Sequence, residues 1–243
     1  MRRAALAAAL ALLAAGGCGG GGDEGPLTVS AAASMRDALR LCAPDDVRLQ
    51  LAGSDELAAQ IRKGVRPDVY AAADTALPEA LAREGLLEPP VVFATNRLVL
   101  ATRGDSDILR WEEITEPGVE IAIGSESVPV GRYTREVLAR LGPENARAIL
   151  ANVRTEEPDV TGIVGKLVQG AVEAGFVYRS DVTNSGGRFG EIPLPGRAQP
   201  DVAYAAGVVR GTELPDEAAA FVEDLRTGRC ARELRAAGFG RAP

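Results

Sequence analysis

Four points in the chain combine small residues, the end of an apolar run and the start of a helical pattern. Ser34 follows Ala31-Ala32-Ala33, and Ser54 follows Ala52-Gly53. Val130 lies in Val128-Pro129-Val130-Gly131-Arg132-Tyr133, and Val160 follows Glu157-Pro158-Asp159. The first turn of a helix presents N–H groups without intrahelical acceptors and about half a positive charge, so it suits an anion. A serine at such a turn adds a hydroxyl donor. Taken singly, either serine is accounted for by ordinary N-capping; four such turns in one chain point to a shared anion. None of them contains Lys or Arg, and Arg132, beside Gly131, is placed on the rim. A pocket of donors alone suits a fully deprotonated tetrahedral dianion, whereas hydrogen phosphate keeps a proton and needs an acceptor. Asp55, next to Ser54, is the one nearby group able to accept it.

The elements that must position these turns can be read from the apolar pattern. Short apolar runs at 27–32, 47–52, 68–72, 97–102, 119–123, 175–178 and 202–209 predict strands. Helices are predicted over 35–41, 55–63, 76–84, 131–140, 144–150, 160–173, 216–225 and 229–236. The alternation implies an α/β architecture with largely parallel sheets. In such sheets ligands sit beyond the carboxyl ends of strands. Ser34 and Ser54 belong to the first third of the chain, Val130 and Val160 to the middle third. One anion shared between them lies in a cleft between two lobes.

Composition excludes several other chemistries. The chain has no histidine, which removes histidine-based triads and histidine metal sites. Ser125, Ser127 and Ser185 therefore have no base to activate them, and 162–165 lacks the lysine-serine pair of a phosphate loop. The acidic pairs Asp45-Asp46, Glu112-Glu113 and Glu156-Glu157 follow no calcium-loop pattern and read as solvated surface. Met1-Arg2-Arg3, an apolar run over 4–15 and Gly16-Gly17-Cys18 describe an export signal over 1–17. The run is shorter than the ~20 residues a membrane span needs. Ala15-Gly16-Gly17-Cys18 resembles the bacterial lipobox, which makes Cys18 a lipid-modified N-terminus and 18–26 a flexible tether at the outer face of the cell membrane. Without Arg2 and Arg3 the formal charge falls from −7 to −9, against a nucleic-acid partner. Cys42 and Cys230 either pair, as exported cysteines often do, or stay as two buried thiols.

Beyond single motifs, an ordered series stands out. Ala31-Ala32-Ala33-Ser34, Ala52-Gly53-Ser54-Asp55-Glu56-Leu57-Ala58-Ala59-Gln60-Ile61 and Pro67-Asp68-Val69-Tyr70-Ala71-Ala72-Ala73-Asp74 come first. Asn96-Arg97-Leu98-Val99-Leu100, the segment 128–133, Gly175-Phe176-Val177-Tyr178-Arg179-Ser180-Asp181 and Ala237-Gly238-Phe239-Gly240 follow. From 27 to 240 the series resembles the periplasmic molybdate-binding proteins of ABC importers. The resemblance implies a type II periplasmic-binding fold: two mixed α/β lobes joined by a two-strand hinge. Lobe one would comprise 27–94 plus 204–243 and lobe two 95–203. It implies an oxyanion, molybdate or tungstate, held by the hydroxyls of Ser34, Ser54 and Tyr178 and the backbone N–H groups of Val130 and Val160. The metal then arrives inside its oxyanion, never as a bare cation. It also implies a monomer without cofactor or catalysis that serves an importer permease. Sulfate or phosphate binding, or an enzyme or sensor on the same fold, are the competing readings. Two positions depart from the family: Val130 replaces a usual alanine, which a backbone donor tolerates, and Asp55 stands where many members have a second serine. A carboxylate there repels a dianion unless it turns outward.

Overall fold

The computed structural model describes residues 25–243; the predicted export signal over 1–17, Cys18 and most of the predicted tether lie outside the described residues. From its first strand the chain lays down β1 (Thr28–Ala32), α1 (Arg36–Cys42), β2 (Arg48–Ala52), α2 (Ser54–Arg62), β3 (Val69–Ala72), α3 (Ala76–Arg83) and β4 (Val91–Asn96). It continues through β5 (Leu98–Arg103), β6 (Ile121–Gly124), α4 (Pro129–Leu141), α5 (Pro143–Ala151), β7 (Val153–Glu157) and α6 (Val160–Gln169). Then come β8 (Ala174–Tyr178), α7 (Arg179–Thr183), β9 (Phe189–Pro193), β10 (Val202–Val208), α8 (Pro215–Thr227), α9 (Arg229–Ala236) and β11 (Gly240–Arg241).

The strands form two sheets, in the orders β11-β4-β10-β3-β1-β2 and β7-β6-β8-β5-β9. The first draws on both ends of the described chain, the second only on its middle, which gives a two-lobed α/β fold. The chain leaves the first sheet at Arg97, between β4 and β5, and returns between Pro193 and Val202. The expectation of largely parallel sheets needs correction. Parallel pairing is confined to β2-β1-β3 and β7-β6-β8, and every other pairing is antiparallel. Parallel neighbours need a crossover helix; strands next to the inter-lobe crossings arrive without one and enter running the other way.

Local chemistry fixes the ends of the elements that matter. Pro129 opens α4 with a helical φ already set. A Cβ on Gly131 would overlap the carbonyl oxygens of Ser125 and Gly124, so glycine lets the start of α4 press against the end of β6. Asp159 caps α6 by accepting the Gly162 N–H at 3.0 Å. Gly170, at φ +69°, ends that helix earlier than the predicted 173, in the left-handed conformation glycine adopts without strain. Cys42 at the end of α1 and Cys230 at the start of α9 form a disulfide with Cα atoms 5.0 Å apart, and both are buried.

Candidate functional site

The carboxyl ends of β1, β2, β6, β7 and β8 converge on one cavity between the two sheets. Ser34, Ser54, Val130, Val160 and Tyr178 all line it, with Gly53 and a ring of alanines between them. Small residues at these strand ends let backbone come close to whatever is bound. The cavity measures about 20 Å³, against the ~10–15 Å³ that one water requires. It has room for a compact ion and none for a sugar or an amino acid. The larger hollows, of about 430 Å³, lie elsewhere on the surface, away from these converging donors.

Each hydroxyl is held from behind. Ser54 Oγ accepts the Ala73 N–H at 3.1 Å, which leaves its own proton to give. The Ser54 carbonyl accepts the Tyr70 hydroxyl at 2.7 Å and so fixes the start of α2. Ser34 Oγ lies 3.0 Å from Tyr204 Oη. When Tyr204 donates, Ser34 keeps a free proton for the cavity, which is the orientation an anion selects. Neither serine caps a helix, so the ordinary N-capping account fails for both. Val130 is the second residue of α4 and Val160 the first of α6. Their N–H groups have no acceptor within their helices.

Tyr178, the last residue of β8, completes the cavity's lining. It is 1% exposed, and its hydroxyl has no partner among the described residues. Burial, then the neighbouring Tyr204 and Tyr133, hold its phenol well above the usual range, so it stays a donor. A buried hydroxyl without a partner costs roughly 1–3 kcal/mol, and an oxyanion oxygen in the cavity would supply its acceptor.

Behind Tyr178, Asp181 accepts the Tyr178 N–H at 2.9 Å and holds the strand-to-helix junction. Burial pushes the Asp181 carboxyl up to about 7; the Tyr178 N–H opposes this, and the Asp37 and Asp159 carboxylates add to it. The folded protein therefore keeps this proton where the unfolded chain has lost it. From this group stability falls as pH rises from about 4 to about 7 and is level above. Thermal melts of the wild type and Asp181→Asn across pH 5–8 should show the fall in the wild type alone. Identical pH profiles would contradict this.

Sequence reasoning missed several residues that complete the site. Tyr204, Tyr70 and the Ala73 N–H orient the serines, and only the tertiary fold brings them there. Asp74, two residues past β3, forms an ion pair with Arg132 on α4, so the pair spans the two sheets; the Asp74 side chain is 6% exposed. Its place beyond a strand's carboxyl end, on the edge that carries Ser34 and Ser54, was the available signal. Asp55, expected as the nearby acceptor, does not line the cavity. Asp159 does, and its carboxylate is engaged in capping α6.

The two lobes approach closely at Gly53. A Cβ there would lie 2.7 Å from the Pro158 carbonyl oxygen, across the cleft. Gly53→Ala should hold the edges apart at the ~1–3 kcal/mol typical of overpacking, a loss of roughly fivefold to a hundredfold in anion affinity. Calorimetry on this variant returning wild-type affinity would refute the close approach.

Two lobes with a donor-lined cavity between them define a class. The chain belongs to the bacterial extracellular solute-binding proteins, whose family profile matches residues 27–240. Among its relatives is the molybdate-binding protein ModA of Mycobacterium tuberculosis, 33% identical over 226 residues, spanning 88% of this chain and 84% of that protein. ModA of Escherichia coli is 29% identical over 235 residues, spanning 89% and 90%. The periplasmic molybdate-binding protein of Azotobacter vinelandii shares the fold, with a TM-score of 0.80 at 20% identity over 89% of this chain and 100% of that one.

Proposed function

We propose that this chain captures molybdate, or tungstate, outside the cytoplasm and hands it to the permease of an ABC importer. The reading rests most heavily on Tyr178, a buried hydroxyl donor without an acceptor among the described residues, in the lining of a cavity of ion size. The ModA relatives supply the ligand class. Cys18 serves as the lipid anchor, and the two moving lobes are 27–94 with 204–243 and 95–203, save that Thr95, Asn96, Val202 and Ala203 pair within the first sheet and move with lobe one.

Closure follows from how the donors are divided. Lobe one contributes Ser34 and Ser54; lobe two contributes Val130, Val160 and Tyr178. An anion in the open cleft meets only part of its shell, and closing adds the rest together with the Asp74–Arg132 pair. A ligand shifts the equilibrium only by its difference in affinity for the two states, and these divided contacts supply one. The cavity offers mainly donors, and its one lining carboxylate, Asp159, is committed through Oδ1 to the Gly162 N–H, which disfavours a ligand that keeps a proton, such as hydrogen phosphate. Parallel calorimetric titrations with molybdate, tungstate, sulfate and phosphate test the reading. Molybdate and tungstate should bind most tightly and phosphate least; phosphate as the tightest ligand would overturn it.

A further inference from the structure

The chain is acidic overall, yet one face is basic. Residues 226–241 hold Arg226, Arg229, Arg232, Arg235 and Arg241 against a single acid, Glu233. All five arginines are exposed. On α9, Arg229, Arg232 and Arg235 recur at three-residue intervals while Cys230, Ala231 and Leu234 are buried, so the arginines form one outward stripe. Across the disulfide, α1 extends it with exposed Arg40 and with Leu41, a large apolar side chain 62% exposed. The Leu41 carbonyl accepts a hydrogen bond from the Arg229 guanidinium, which ties the two helices into one surface. Nearby acids are partly engaged: Glu223 pairs with Arg226, and Asp224 accepts the backbone N–H groups of Arg229 and Cys230. Asp46 and Glu217 lie at the edge of the stripe.

The chain enters on this same side, where Leu27, Cys42 and Arg229 line one shallow groove. Cys18 precedes Leu27 by nine residues, a reach of at most about 30 Å. We propose that the α1–α9 face rests on an anionic membrane surface, its guanidinium groups on lipid phosphates and Leu41 entering the interface. Guanidinium groups suit phosphate through paired N–H donors, and a negative lipid surface attracts such clusters within a Debye length. The acidic remainder of the protein is repelled, so the contact also sets orientation. Ser34 lies before the opposite end of α1 from Leu41, which keeps the anion cavity clear of the lipid. The cellular setting rests on the lipid-anchored reading; the surface chemistry does not.

The test uses the chain from residue 18 with Cys18→Ala, so that no acyl group contributes. It is sedimented with vesicles of phosphatidylcholine alone or with phosphatidylglycerol added, at low and at physiological salt. Binding should require phosphatidylglycerol and weaken with salt. Arg232→Glu with Arg235→Glu should reduce it at least about tenfold, with molybdate affinity unchanged. Arg83→Glu with Arg147→Glu, an equal charge change elsewhere, should leave vesicle binding intact. No binding to phosphatidylglycerol, or equal loss in both double variants, would overturn the proposal. Since molybdate titration is read separately, either result leaves the ligand assignment standing or falling by itself. A stripe that instead recognises an acidic protein would give the first of those negative results.

Discussion

Replacing Tyr178 with Phe is expected to weaken molybdate binding roughly tenfold to a hundredfold while leaving the free protein at least as stable as the wild type. A hydrogen bond to a charged group contributes about 1.5–3 kcal/mol, and each 1.4 kcal/mol is tenfold in affinity. The second half of the expectation separates a ligand from a packing residue. The ring is fully buried and makes an edge-on contact with Tyr204 at 5.8 Å between centroids, which Phe preserves. The hydroxyl that Phe lacks has no partner among the described residues, so its loss removes a desolvation cost and breaks no bond among them. A structural tyrosine would give the opposite pattern: a lower melting temperature and unchanged affinity. Calorimetry and thermal melting of this one variant therefore decide the role of Tyr178.

Removing the disulfide with Cys42→Ala and Cys230→Ala should give the largest stability effect. The bridge joins residues 188 apart, and closing so long a loop stabilises by about 5 kcal/mol on the chain-entropy account, an upper figure in practice. For a domain of this size the melting temperature should fall by roughly 10–15 °C. Molybdate affinity should change little, because Ser34 sits at the other end of α1 and is held by Tyr204. Free-thiol titration of the denatured, unreduced protein should find neither Cys42 nor Cys230 reactive; two reactive thiols would contradict the bond.

Much of this architecture was legible in the sequence, for physical reasons that also explain the gaps. The strands that carry the site are short, apolar and buried: Val69-Tyr70-Ala71-Ala72 is buried throughout, as is Ala174-Gly175-Phe176-Val177-Tyr178. Such runs announce themselves. β7, Val153-Arg154-Thr155-Glu156-Glu157, lies at a sheet edge with alternating exposure, and β9 contains Gly190 and Pro193; neither has the composition of a central strand. β4 was hidden differently. Only Arg97 separates it from β5, yet the two strands belong to different sheets, and local pattern carries no record of that switch. The same limit applies to the site. Helix starts and small-residue turns pointed to Ser34, Ser54, Val130 and Val160, whereas Tyr178 came through family resemblance. The Tyr204, Ala73 and Asp74 contacts depend on long-range pairing that spacing does not encode.

The most direct test of the account is a crystal structure of the molybdate complex with diffraction data collected at the molybdenum absorption edge. One strong anomalous peak is expected in the inter-lobe cavity. Its oxygens should lie within hydrogen-bond distance of Ser34 Oγ, Ser54 Oγ, Tyr178 Oη and the backbone nitrogens of Val130 and Val160. A peak at any other place, or an anion in that cavity that leaves the Tyr178 hydroxyl without an acceptor, would contradict it.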